Sequence, residues 1–139
     1  MAGEAAAAAT MLGVSATGEH DVITKLREGF PASAIHEIEA QLGLTHAAVA
    51  SLLSLPQRSF ARRTKARRLS QHESEVLLRL ARVFQSACEV LGAKEKAVRW
   101  LQRPNRSLGN VPPLQMLDTE AGARQVDDVL GRIAYGVYG

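Results

Sequence analysis

The chain has 139 residues, 46% apolar and 4% aromatic, with a formal net charge of +3, which fits one compact domain or two very small ones sharing a core and excludes wholesale disorder. Its single cysteine, Cys88, excludes an internal disulfide and CxxC-type metal sites. No run reaches the ~18 apolar residues of a membrane span, and the opening MAGEAAAAAT lacks the basic start of a signal peptide, so a soluble cytoplasmic protein without membrane contact is expected.

β-Branched alternation is nearly absent, and Ala, Leu, Glu, Arg and Gln dominate, so an all-α chain is expected. Residues 1–20 read as a flexible Ala-rich tail. Ala5–Ala9 favours helix, but no apolar period gives that helix a face to bury. DVITKLREGF then places Val22, Ile23 and Leu26 on one helical side, and Gly29 with Pro31 ends it. ASAIHEIEAQLGLT repeats the device with Ile35, Ile38 and Leu42, and Gly43 stands where a C-cap glycine belongs.

In LTHAAVASLLSLPQRSFARR, Thr45 caps a helix carrying Ala48, Val49, Leu52 and Leu53. Ser54-Leu55 is a tight turn, and Pro56 starts the next helix, where its missing N–H has no partner to lose. Two short helices joined in this way are a helix-turn-helix, whose second helix enters the DNA major groove. Charge points to the same place. Residues 1–57 carry net −4 and residues 58–139 net +7, the excess lying mostly in Arg58, Arg62, Arg63, Lys65, Arg67 and Arg68. A clustered basic stripe is the footprint of phosphate contact. Gln57, Arg58, Ser59, Arg62 and Arg63 fall on or near the leading surface and Lys65 just beyond, while Phe60 points to the core. These six polar residues are the candidate DNA-binding set, since Arg and Gln pair bidentately with guanine and adenine edges. An ordinary αα-hairpin with a charged, solvated face is the competing reading.

LSQHESEVLLRLARVFQSACEVLG is the clearest helix. Ser70 and Glu73 form an S-x-x-E capping box, and Gly92 closes the helix. Its polar stripe is only Glu75, Arg79, Arg82, Ser86 and Glu89. Leu77, Leu80, Phe84, Cys88 and Leu91 lie on one side, with Val76, Val83 and Val90 beside them. That is more than one apolar stripe, so a homodimer interface at Val76, Val83 and Val90 is expected. A central helix buried within one chain is the competing reading.

Further on, Trp100 and Leu101 close a short helix that Pro104 forbids from continuing. Pro112 and Pro113 shape a loop and a short turn through Leu117. The last helix is capped near Asp118–Thr119. Val126, Val129, Leu130, Ile133 and Val137 make its core stripe, opposite Arg124, Asp128, Arg132, Tyr135 and Tyr138. Tyrosines among arginines are the composition of a protein-binding hot spot. Gly131, Gly136 and Gly139 lower helix propensity and permit close approach by another backbone. Simple fraying at the end is the competing reading.

No catalytic constellation emerges. His20, His36, His46 and His72 are scattered without a spacing that suggests a metal, and no Gly-rich phosphate loop is present. No enzyme activity, cofactor or metal is expected.

The series GFPASAI, LGLT, LLSLPQRSFARR, RLSQHESEVLLRLARVF, AVRWLQRPN and DTEAGARQVDDVLGRIAYGVYG resembles the Xre/ParS/MbcA family of bacterial antitoxins over nearly everything from Asp21 to Gly139. The resemblance implies a helix-turn-helix part, 21–83, followed by a helical toxin-binding part, 84–139, joined through the long shared helix 71–91. It also implies a partner, a cognate RES-domain toxin that consumes NAD by hydrolysis or ADP-ribose transfer. The family's recognition-helix motif falls on Gln57–Arg63, and its toxin-binding motif on Trp100, Pro104, Asn105, Gly122, Gly131, Tyr135 and Gly136. Arg132, Tyr138 and Gly139 complete the expected toxin-binding set. RIAYGVYG offers rings to stack and a carboxylate at Gly139, groups that could imitate part of an anionic dinucleotide. The expected function is an antitoxin that covers the toxin's active site and represses its own operon as a dimer on operator DNA. The alternative is a stand-alone helix-turn-helix regulator whose C-terminal helices only dimerise.

Overall fold

The computed structural model describes residues 3–65 and 68–136, and of Gln57, Ala61, Arg63 and Thr64 the backbone alone. Eight α-helices are found among them: α1 Glu4–Met11, α2 Glu19–Glu28, α3 Ser33–Leu42, α4 His46–Leu52, α5 Gln57–Lys65, α6 Gln71–Leu91, α7 Lys94–Gln102 and α8 Glu120–Ala134. Two 3-10 turns, Arg106–Leu108 and Pro113–Asp118, lie between α7 and α8. The described residues contain no strand, only two isolated bridges, and no helix long and apolar enough to cross a membrane. The chain divides into two units, 1–82 and 83–139, so the division falls inside α6.

In the first unit the expected tail is corrected. Ala6, Ala8, Ala9, Leu12 and Val14 are all buried, and α1 packs on α2. Alanine has no large side chain to register as an apolar period, but its small methyl lets a helix approach a neighbour closely and bury its backbone. Glu4 Oε1 also lies 3.9 Å from Arg82 Nη1. A second correction is Ile23, which is exposed while Val22 is buried and Leu26 is half-buried. Periodicity identifies the inward side of a helix but not how much of that side is covered.

The middle helices follow from their local chemistry. Gly43 adopts the left-handed conformation at the end of α3, and the Thr45 hydroxyl accepts from the Ala48 amide at 3.1 Å at the start of α4. Ser54 makes the tight turn with φ +57°, and the Leu55 amide donates back to the Ala50 carbonyl. Pro56 stands just before α5, its carbonyl accepting from the Phe60 amide at 2.9 Å.

A knot of polar bonds ties the α2–α3 loop to the start of α6. The capping box is present in both directions: Ser70 N donates to Glu73 Oε1 at 2.7 Å, and Glu73 N donates to Ser70 Oγ at 3.1 Å. The buried Ser74 hydroxyl accepts from the Phe30 amide and donates to the Ser70 carbonyl, each at 2.8 Å. Leu69 N donates to the Phe30 carbonyl, and Arg68 Nη1 to the Gly29 carbonyl at 2.9 Å. Gly29 permits this approach. Its φ is +89°, and a Cβ there would lie 2.0 Å from the Leu69 carbonyl oxygen. Gly29→Ala combines left-handed strain of about 1–2 kcal/mol with damage to a buried hydrogen bond worth a similar amount, so a loss on the order of 3 kcal/mol is expected. Urea unfolding of the variant checks this, and an unchanged midpoint would contradict it.

The second unit is built around the 3-10 turn Pro113–Asp118, on which α7 and α8 both pack. Leu101, Leu108, Leu117, Ala123, Val126 and Leu130 are buried. The Thr119 hydroxyl caps α8 by accepting from the Gly122 amide at 3.0 Å. Gly122 is required there by packing, since a Cβ would lie 1.9 Å from the Met116 carbonyl oxygen.

Helix α6 corrects the expected dimer interface. Val76 and Val83 are fully buried within the single chain, as are Leu77, Leu80, Ala81 and Ala87. A side chain already surrounded by its own fold has no surface to offer a second copy. Only Val90, half-buried, retains any. The surplus apolar surface of this helix is used internally, because it is covered on more than one side.

Candidate functional site

Helix α5 is held by its neighbours through Phe60, which is buried. The Phe60 ring lies 5.6 Å from the His46 ring at the start of α4. His46 Nδ1 is hydrogen-bonded to a Glu39 carboxylate oxygen on α3, and His36 Nδ1 lies 3.5 Å from the other oxygen. One carboxylate therefore links α3 to α4, and the imidazole it holds packs on α5. In sequence His36 and His46 are scattered, ten residues apart, and no local pattern marks Glu39 as the carboxylate that joins them. The grouping is a clamp, and no set of three His, Cys, Asp or Glu among the described residues is arranged to hold a metal.

With Phe60 turned inward, Arg58, Arg62 and Lys65 are exposed and Ser59 is half-buried. Their spacing of four and three residues puts the three cations on one face, and none has an ion-pair partner among the described residues. The side chains of Gln57 and Arg63 lie outside the described residues, as does Arg67. Arg68 leaves the basic cluster, since its guanidinium is engaged by the Gly29 carbonyl. What remains is a cationic helix face of the kind that contacts phosphates and base edges.

The expected toxin-binding residues occupy two places in the second unit. Trp100, Pro104 and Asn105 line a cleft of about 380 Å³ together with Leu91, Lys96, Arg99 and Arg103. Asn105 also serves the fold, its Oδ1 accepting from the Ser107 amide at 2.9 Å to cap the first 3-10 turn. Gly131, Arg132, Tyr135 and Gly136 lie at the end of α8 and do not line that cleft. Tyr135 is 87% exposed, the highest of any large apolar side chain described. Its amide closes the helix on the Gly131 carbonyl, and Gly136 follows with φ +72°. Gly131 contrasts with Gly122: a Cβ there would meet no atom within 4 Å. Nothing in the described fold asks for glycine at that position, although it costs helix stability. Val137, Tyr138 and Gly139 lie outside the described residues.

Cys88, half-buried, has no reactive setting. Burial pushes its thiol up, with Lys94 opposing and Glu95 and Glu89 adding to the shift. It is therefore protonated at neutral pH and a poor nucleophile.

A helix-turn-helix with a cationic face is followed by a second helical unit with an exposed aromatic end, the architecture of a two-part, all-helical protein. Residues 21–82 match the Antitoxin Xre-like helix-turn-helix domain, and residues 86–136 the Antitoxin Xre/MbcA/ParS C-terminal toxin-binding domain. Antitoxin Xre of Yersinia enterocolitica is 32% identical over 129 residues, covering 91% of this chain and 87% of that protein. Antitoxin Xre of Photorhabdus laumondii is 34% identical over 125 residues, covering 88% and 84%. A chain in the crystal structure of the M. tuberculosis MbcT–MbcA toxin–antitoxin complex superposes with a TM-score of 0.58 at 28% identity, covering 78% of this chain and 96% of that one. The chain belongs to the Xre/MbcA/ParS family of antitoxins, with a helix-turn-helix domain and a toxin-binding domain.

Proposed function

We propose that this antitoxin neutralises a RES-domain, NAD-consuming toxin by laying the end of α8 over the toxin's active site. The observation that carries this is the pairing of an exposed Tyr135 with a Gly131 that the chain's own packing does not require. A glycine facing open space lets another backbone come close, and a neighbouring exposed ring supplies the anchor. NAD is an anionic dinucleotide, so a cleft that admits it needs cations and flat walls. Tyr135 offers such a cleft a ring to stack, and inhibition follows from occlusion without chemistry by the antitoxin.

The helix-turn-helix serves autoregulation in this reading. Arg58, Arg62 and Lys65 contact operator phosphates and base edges, with Gln57, Ser59 and Arg63 on the same helix. The protein acts as a homodimer there, reading half-sites ~34–36 Å apart, through a surface other than Val76 and Val83. The match of residues 86–136 to a toxin-binding domain favours this over a stand-alone regulator. Co-expression with a cognate RES-domain toxin tests the partner: the two polypeptides are expected to purify together through a tag on either one. A chain that purifies alone from cells making both would overturn the proposal.

A further inference from the structure

Residues 94–106 carry five Lys or Arg and one Glu, a second basic region that the helix-turn-helix does not use. Within it Lys96 and Arg99, three residues apart, share one side of α7, and Arg103 follows just past the helix end in extended backbone. All three line the cleft of about 380 Å³ described above, and no acidic residue lines it with them. All three are exposed and have no ion-pair partner among the described residues. Three like charges around one hollow repel each other, and no acidic side chain among the described residues pairs with them. The same hollow has an apolar side. Trp100 lies one residue after Arg99, with Leu91 and Pro104 completing the wall.

We propose that this cleft binds a nucleoside phosphate, its base against Trp100 and its phosphates held by Lys96, Arg99 and Arg103. The volume falls within the range of roughly 300–1,000 Å³ typical of small-ligand sites. Guanidinium forks match phosphate oxygens bidentately, and an indole face stacks a base. A duplex presents its phosphates on a convex ridge, for which the open face of α5 is suited and a hollow is not. The binding belongs to the free antitoxin and requires no toxin, so its failure and that of the toxin reading are separate results.

Trp100 is the only tryptophan in the chain, so its fluorescence reports on this cleft alone. Titration of the full-length protein with ADP is expected to change Trp100 emission saturably. Adenosine, which lacks the phosphates, should bind at least about tenfold more weakly. The double variant R99A/R103A should weaken ADP by a similar factor or more while keeping the circular dichroism spectrum, since both side chains are exposed. No saturable response to millimolar ADP would overturn the assignment, as would an equal response to adenosine or an undiminished response in the variant. A response to single-stranded oligonucleotide but not to ADP would overturn it in favour of nucleic acid.

Discussion

Alanine at Arg58, Arg62 and Lys65 together will weaken operator binding by about 100-fold or more at physiological salt, and will leave the fold and the toxin complex intact. All three side chains stand exposed on α5 without partners among the described residues, so their removal breaks no contact of the described structure. Each phosphate contact removed releases about one fewer counterion, so the slope of log affinity against log salt should fall by roughly three per protomer, about five to six for the dimer on two half-sites. If one of the arginines reads a guanine edge, it adds about 1–3 kcal/mol and its loss relaxes specificity at that base. Electrophoretic mobility or anisotropy measurements across a salt series separate the two contributions. Unchanged affinity and slope in the triple variant would remove α5 from the DNA interface.

At the other end of the chain, Tyr135→Ala is expected to cost about 2 kcal/mol or more in toxin affinity, roughly 30-fold, as for an aromatic hot spot. At 87% exposure the ring contributes little to the fold, so thermal stability should hardly move. Gly131→Leu provides a sharper result because stability and binding change in opposite directions. A side chain there enters open space and replaces a poor helix former with a good one, a gain of up to about 1 kcal/mol in stability. The same side chain keeps another backbone from approaching, so toxin affinity should fall. A variant that is more stable and binds the toxin as tightly as the wild type would show that Gly131 is not at the interface.

The parts of this fold that were legible in sequence are those determined by local chemistry. Thr45 capping α4, the reciprocal Ser70–Glu73 bonds and Gly43 at the end of α3 all involve residues a few positions apart. The cationic face at Arg58 and Arg62 was visible for the same reason. What sequence reading missed depends on encounters between distant segments. The alanines of α1 bury against α2 without any large side chain to announce it. Arg68 looked like one more surface cation until the Gly29 carbonyl, 39 residues away, was seen to accept from it. Glu39, His46 and Phe60 form their clamp across three helices. Val76 and Val83 look surplus in sequence, because the number of faces of α6 that the chain itself covers is a tertiary property. The cations of the α7 cleft are only partly legible in sequence, since Arg103 joins Lys96 and Arg99 from beyond the helix end.

The account rests most heavily on the end of α8 blocking the toxin, and NAD turnover measures that directly. Purified toxin is assayed with the full chain and with a chain ending at Ala134, whose circular dichroism confirms that it remains folded. Stoichiometric full-length antitoxin is expected to stop NAD consumption, and the truncated chain to leave most of it running. A truncated chain that still blocks consumption as tightly as the full one would contradict occlusion by this segment.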